Sequence, residues 1–483
     1  MKKRGFLLSM RFFSIKRDYL MVTIIFLALG FLLSMGSLAF TAEAPKTAVP
    51  TAPVGLIPSS FKEFKIGDVK INFGANDRLR YEYRQDYYFG AAKPGNHDGL
   101  WYNRFRLNMN AAYQNLTAFV EGLDSRERES EKRPKSQEDE FDLHQGYLKL
   151  SKPGNLPVSL TVGRQELKYG AERLIAAPTW SNNIRSFDAV KFTYNPASFD
   201  IDFFVGNEVL YQDDKFNTAR WGKYLYGVYA TYKGIPGNVF DLYSINLTDK
   251  RHGITSVTDK NTTYKNSERY TVGTRGEGKI VSTNFDYGYE IAYQLGKRDA
   301  VTKGTEESQD IRAYAVHTDV NYTFKDVQYQ PMIKLEYNYA SGDDNPKDDT
   351  SKTFDPVYQS THGPYGLIDF FRWQNMEEFA LFLDFTPIKD RMKGSLEYHW
   401  FNMPETNDAW YGSGGSKIRY DKNKSKYASD YVGTEVDLLF NYKVSSFLNI
   451  EGGYAHFFCG DYVKDTGSSK DADWFYLQTA ITF

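Results

Sequence analysis

From residue 69 to the carboxyl end, apolar and polar residues alternate with a period of two over stretches of about ten residues, many times over. Phe285, Tyr287, Tyr289, Ile291, Tyr293 and Leu295 alternate with Asp286, Gly288, Glu290, Ala292 and Gln294. Tyr314, Val316, Val320, Tyr322 and Phe324 stand against His317, Asp319 and Asn321, and Val432, Val436, Leu438, Phe440 and Tyr442 against Gly433, Glu435, Asp437 and Asn441. This is strand patterning, and its length narrows the choice. Strands of a soluble sandwich run nearer five or six residues, whereas a strand crossing a bilayer needs about nine to eleven. In lipid every backbone amide must be paired, so spanning strands have to close on themselves. The pattern predicts an all-β fold, a transmembrane antiparallel β-barrel.

The connections agree. Eighteen strand candidates can be marked between residues 69 and 483, separated by gaps that alternate long and short: 84–100, 114–115, 126–138, 151–157, and so on to a long one at 460–473. Membrane barrels have short periplasmic turns and long outer loops. Short turns such as Asn195 to Ser198 and Lys233 to Asn238 carry the Pro, Gly and Asn that tight turns need. The closing segment WFYLQTAITF puts Phe475, Leu477, Ile481 and Phe483 on one face and ends on an aromatic. Such an end is the form read by barrel-assembly machinery, so that machinery is an expected partner, together with the lipid of a Gram-negative outer membrane. Asp77 and Asn103 do not fit, because they fall on faces assigned to lipid. A charge there costs about 2–4 kcal/mol at mid-depth, which predicts a bulge or a shift of those strands out of the lipid.

Ahead of the barrel, residues 1–19 hold six basic residues and one acid, and an apolar run at 20–33 is followed by small residues at Ser37 and Ala39. This is the layout of a secretory signal over residues 1–39. Removing its net +5 takes the formal charge from −2 to about −7. Residues 40–68, rich in Ala, Pro and Thr, predict a flexible periplasmic tether, leaving 69–483 for the barrel.

Composition excludes several alternatives. A mean hydropathy of −0.54 is too polar for a bundle of membrane helices. The absence of a basic excess argues against nucleic acid, and a single cysteine, Cys459, excludes internal disulfides and thiolate metal clusters. No G-x-S-x-G occurs, GSGG at 412–415 lacks a strand-to-helix setting, and His317, His399 and His456 have no metal-binding spacing. DDNPKDD at 343–349 lacks the spacing of a calcium loop and reads as solvated. Neither enzymatic activity nor a cofactor is expected.

If the aromatic parity faces lipid, Lys70, Arg78, Arg80 and Arg84 point inward from the first strand, and Arg104 and Arg106 from the second. The inward acids Glu290, Asp319, Glu336, Glu435 and Asp437 come from later strands, predicting a lumen positive on one side and negative on the other. Such arginines either pair with acids to hold the interior or form a constriction that attracts anions by several weak contacts in series.

The segment GRQELKYGAERLIAAPTWSNNIRSFDAVKF at 163–192 resembles the signature of the alginate export family of outer-membrane barrels: Gly163, Arg164 and Gln165, then Tyr169 and Gly170, Arg173 and Leu174, Trp180 to Asn182, and Arg185, Phe187, Asp188, Ala189 and Val190. FDLHQGYLKL at 141–150, the stretch 339–358 and GLIDFFRWQN at 366–375 are similar too. The resemblance implies an eighteen-stranded barrel whose arginine-rich lumen passes a polyuronate, with folded loops that help gate it and periplasmic export partners. It marks Arg164, Arg173, Arg185, Arg372 and Asp188 as lumen candidates, beside Arg78, Arg80, Arg104 and Arg106 from parity. The expected function is passive passage of anionic saccharides. The alternatives are a less selective porin, or a scaffold or adhesin built on the loops at 341–375 and 402–429.

Overall fold

A computed structural model describes residues 63–129, 137–250, 266–302, 305–360, 362–419 and 429–483. The expected signal and most of the tether lie outside the described residues. Among the described residues, eighteen strands form one closed antiparallel barrel. They are β1 (Val69–Gln85), β2 (Asp98–Tyr113), β3 (Leu116–Glu129), β4 (Asp139–Ser151), β5 (Val158–Gln165), β6 (Phe187–Tyr194), β7 (Phe199–Leu210), β8 (Lys223–Tyr232) and β9 (Asn238–Asp249). There follow β10 (Ser267–Lys279), β11 (Phe285–Thr302), β12 (Thr305–Thr323), β13 (Met332–Ala340), β14 (Met376–Ile388), β15 (Met392–Asn402), β16 (Tyr431–Lys443), β17 (Leu448–Cys459) and β18 (Ala472–Thr482). Closure joins β18 to β1, where Asn76 faces Thr482 and Gln85 faces Asp473. The terminal Phe483 and Ala75 exchange both backbone hydrogen bonds, at 2.9 and 3.0 Å. A closed cylinder leaves no strand edge in lipid. Residues Glu63–Ile66, placed in the tether by composition, form a short strand paired back onto the start of β1.

Side chains divide by parity as the pattern predicts. Ile291, Tyr293 and Leu295 are exposed on the outer face while Glu290, Ala292 and Gln294 are buried inside. Val432 departs from this. The register shifts between Tyr431 and Gly433 opposite Phe401 and Asn402, and this bulge turns Val432 into the interior. The bulge expected at Asp77 and Asn103 is absent. The register of β1 against β2 runs without a break, and the two outward side chains instead hydrogen-bond each other, Asn103 Nδ2 donating to Asp77 Oδ1 at 2.9 Å.

By the short-turn rule, the connections 166–186 and 341–375 lie on the outer side, yet both fold into the barrel. β5 has only eight residues, so the first of these leaves the wall partway up. The two meet in parallel at Ile175 and Tyr358. Tyr358 N donates to Leu174 O at 2.7 Å and Ala176 N to Tyr358 O at 2.8 Å. Around this junction the outer half of the interior is packed with apolar side chains: Phe354, Phe371, Trp373, Phe401, Trp410 and Phe457 are all buried there. Phe371 stacks on Phe401 with centroids 3.8 Å apart.

Candidate functional site: a plugged lumen

Strands β1 and β2 set Arg78 directly opposite Arg104, with Arg80 two residues along on the same inner face. Like charges across a strand pair repel unless each finds a partner. Here the partners are the carbonyls of one inserted loop, joined at Arg80 by the carboxylate of Glu82, 2.9 Å from Nε. Arg78 Nη1 donates to Thr179 O and Trp180 O, both at 2.8 Å. Arg80 Nη1 donates to Trp180 O at 2.7 Å, and Arg104 Nη1 to Thr179 O and Ser181 O at 2.6 and 2.8 Å. Each charged hydrogen bond of this kind contributes about 1.5–3 kcal/mol. The Arg80 guanidinium also lies over the Trp180 ring, 3.6 Å from its centroid, and the indole stacks on His362 at 3.8 Å. Asn182 completes the grip: its carbonyl accepts from Arg78 Nη2 at 2.9 Å, and its amide donates to Asn103 O and Arg126 O. The Trp-Ser-Asn stretch singled out in the sequence is thus the piece held by the basic wall.

Three strands round the wall from β1, β16 works with the other sign. Asp437 Oδ2 accepts from Leu367 N at 3.2 Å and Glu435 Oε1 from Ile368 N at 2.9 Å. Gly366, just before them, has a φ of 78°, and a Cβ there would come within 2.7 Å of the Glu435 carboxyl. Arginines therefore hold the carbonyls of one loop and carboxylates hold the amides of the other. Strand parity puts these acids inside but carries no signal for what they grip, since their partners lie some seventy residues away.

The other candidates form separate networks. Arg106 bridges Glu121 and Glu166 at 2.6 and 3.1 Å. Arg164 takes Asp188 in a fork at 2.8 and 3.1 Å and also donates to Asn217 O. Arg173, carried across the lumen by its loop, meets His317 at 2.9 Å beside Glu290 and Glu336. Arg185 donates to Ala176 O, Tyr358 O and Gln359 O, fastening both inserted loops together. Arg372 stays within its own loop, pairing with Asp355 at 3.0 Å. Arg269 reaches the same carboxyl at 3.0 Å. Burial pushes the Asp355 carboxyl up, but Arg269 and Arg372 outweigh it and hold the group below the usual carboxylate range. DDNPKDD is largely exposed, as a solvated loop should be, with only Asp343 buried, and its end is tied to the wall where Asp310 N on β12 donates to Asp349 O at 2.8 Å.

Beside the basic wall lies a polar cavity of about 590 Å³, lined by Arg78, Glu172, Trp180, His362, Glu451 and Gln478. Glu451 and Gln478 pair across β17 and β18 toward the short-turn end, so the cavity sits below the plug on the periplasmic side.

A closed eighteen-stranded cylinder with an apolar outer belt, a charged interior and inserted outer loops defines an outer-membrane barrel of the porin class. Within that class the chain belongs to the alginate export family, whose model matches residues 69–476. Comparison of the sequence with curated proteins gives no match. Among solved structures, similar barrels come from Pseudomonas aeruginosa. OpdQ has a TM-score of 0.54 at 12% identity over 86% of this chain and 99% of that one. OccK2 (OpdF) in complex with glucuronate gives 0.52 at 12%, over 86% and 98%. OpdK with vanillate gives 0.54 at 11%, over 85% and 98%. At such identities the likeness is one of fold.

Proposed function

We propose that the barrel is a passive channel for anionic saccharides, uronates or acidic oligosaccharides, and that Arg78, Arg80 and Arg104 are its anion-binding wall. The observation that carries this reading is the occupancy of those guanidiniums: all three are aimed into the lumen at oxygen atoms of a loop, beside a polar cavity. A carboxylate oxygen is a stronger acceptor for a guanidinium than a backbone carbonyl, so an arriving uronate competes for the donors that keep the loop in place. Displacement of residues 179–181 would then open the path and bind the solute in one exchange. That two barrels of similar fold were determined with the carboxylates glucuronate and vanillate supports the class of solute. The site serves transport, not catalysis. Delivery to the outer membrane runs through assembly machinery reading the strand that ends at Phe483, and a polymer arrives from periplasmic export partners.

Single-channel recording in planar bilayers tests this. Oligouronate added to the periplasmic side is expected to produce blocking events that shorten in an Arg78→Ala, Arg104→Ala variant. Equal passage of neutral and acidic sugars without blocking would instead mark a general porin. The aromatic packing of the outer half favours, as a second reading, a sealed barrel acting as a scaffold or adhesin. Absence of conductance after deletion of residues 168–182 would establish it.

A further inference from the structure

A concentration of buried acidic charge lies away from the arginines, on β14, β15 and β16. Glu378, Glu397, Glu435 and Asp437 surround one imidazole, His399, and all but Glu397 are fully buried there. Among the described residues no lysine or arginine forms an ion pair with any of the four carboxylates; Glu378, Glu397 and Asp437 pair with His399, and Glu435 forms no ion pair. The register explains the gathering: Glu397 lies directly opposite Asp437, and His399 opposite Glu435. The hydrogen-bonding of the imidazole is one-sided. Its Nδ1 is 2.7 Å from Glu378 Oε1, while Nε2 has no hydrogen-bond partner. Nε2 nevertheless stands 3.4 Å from Glu397 Oε2 and 3.5 Å from Asp437 Oδ2. Asp437 Oδ1 and Glu435 Oε2 are also buried without a partner.

We propose that Glu397, His399 and Asp437 form a binding site for a divalent cation of the zinc type, fixed in place by Glu378. A carboxylate that takes Nδ1–H leaves the Nε2 lone pair free for a metal and sets the ring orientation, which is the usual outer-shell arrangement of metal-binding histidines. The spacing suits the ion: with bonds of about 2.0–2.2 Å, the edges of a tetrahedral zinc site are about 3.3–3.6 Å. A charge-assisted N–H···O bond would be shorter, about 2.7–2.9 Å. Imidazole with carboxylates is a donor set for zinc, not for calcium or magnesium, which prefer oxygen alone. A second cluster, Glu121, His144 and Glu166, has similar composition but is already balanced by Arg106 and Lys168. Asp437, a ligand of the proposed ion, also accepts from Leu367 N, and Glu435 from Ile368 N, so the ion would stiffen the wall on which the second loop is anchored.

The test is metal content of the full chain. The protein is refolded in detergent with Zn²⁺, dialysed, and its zinc counted, with heat-modifiable migration on gels confirming the barrel in each variant. The expected result is one equivalent per barrel in the wild type and in Cys459→Ser, loss in His399→Gln, and about 10–100-fold weaker binding in Glu378→Gln. X-ray absorption should show nitrogen and oxygen donors and no sulfur. Should His399→Gln fail to fold, Glu397→Gln replaces it with the same expectation. Wild-type zinc content no higher than that of the variant would overturn the site and leave protons as the neutralising charge. Zinc lost in His144→Gln, or bound through sulfur, would overturn it equally. None of these readouts depends on conductance or on the solute.

Discussion

Arg80 holds Trp180 twice, through a hydrogen bond to its carbonyl at 2.7 Å and through its ring, 3.6 Å from the guanidinium. One arginine of the wall thus fixes both the backbone and the side chain of the inserted loop. The ring contact contributes about 0.5–2 kcal/mol and the stack on His362 adds to it. Trp180→Ala keeps the carbonyl contacts but removes the ring contacts with Arg80 and His362 together with those on Trp474 and Tyr476. Its single-channel open probability should rise several-fold with β-content unchanged, and an unaltered open probability would show that the indole does not hold the plug.

Asp77 and Asn103 satisfy each other on the lipid face. Removing one leaves a polar group unpaired against lipid, at a cost of about 1–3 kcal/mol. Removing both replaces the pair with apolar surface. Asn103→Leu is therefore expected to lower stability to urea in lipid vesicles, and the double change Asp77→Leu, Asn103→Leu to restore it. Equal losses in the single and double variants would contradict the pairing.

Asp355 ties its loop to the wall through Arg269 and to Arg372 within the loop. Its carboxyl is held below the usual range, so the closed plug binds fewer protons there than the released loop does. The contribution to closure is complete above the ordinary carboxylate pKa of about 3.9 and is lost as pH falls through the lowered value. Conductance should increase on acidification below about pH 4, and this acid-induced component should disappear in Asp355→Asn. An identical acid response in the two proteins would assign it to other groups.

Much of the barrel is legible in the sequence because strand parity is a local property: each wall residue declares its face through its neighbours two positions away. The alternation gives the strands, their number and the sidedness of the loops. What escapes is anything decided by contacts distant in the chain. Val432 lies inward because of a bulge whose cause is the pairing with β15. The arginines were legible as inward-facing, but the carbonyls they hold belong to a loop about 100 residues away in the chain. The same holds for Glu397, His399 and Asp437, which no linear motif unites, because the third comes from the neighbouring strand.

The reversal potential and conductance of single channels in a salt gradient, measured for the wild type and for Arg78→Ala, Arg80→Ala, Arg104→Ala, address the guanidinium-held plug most directly. The wild type should conduct weakly and prefer anions. The triple variant should conduct more, because residues 179–181 are released, and lose the preference for anions, because the wall has lost its charge. A wild type selective for cations, or a triple variant as closed and as anion-selective as the wild type, would contradict it.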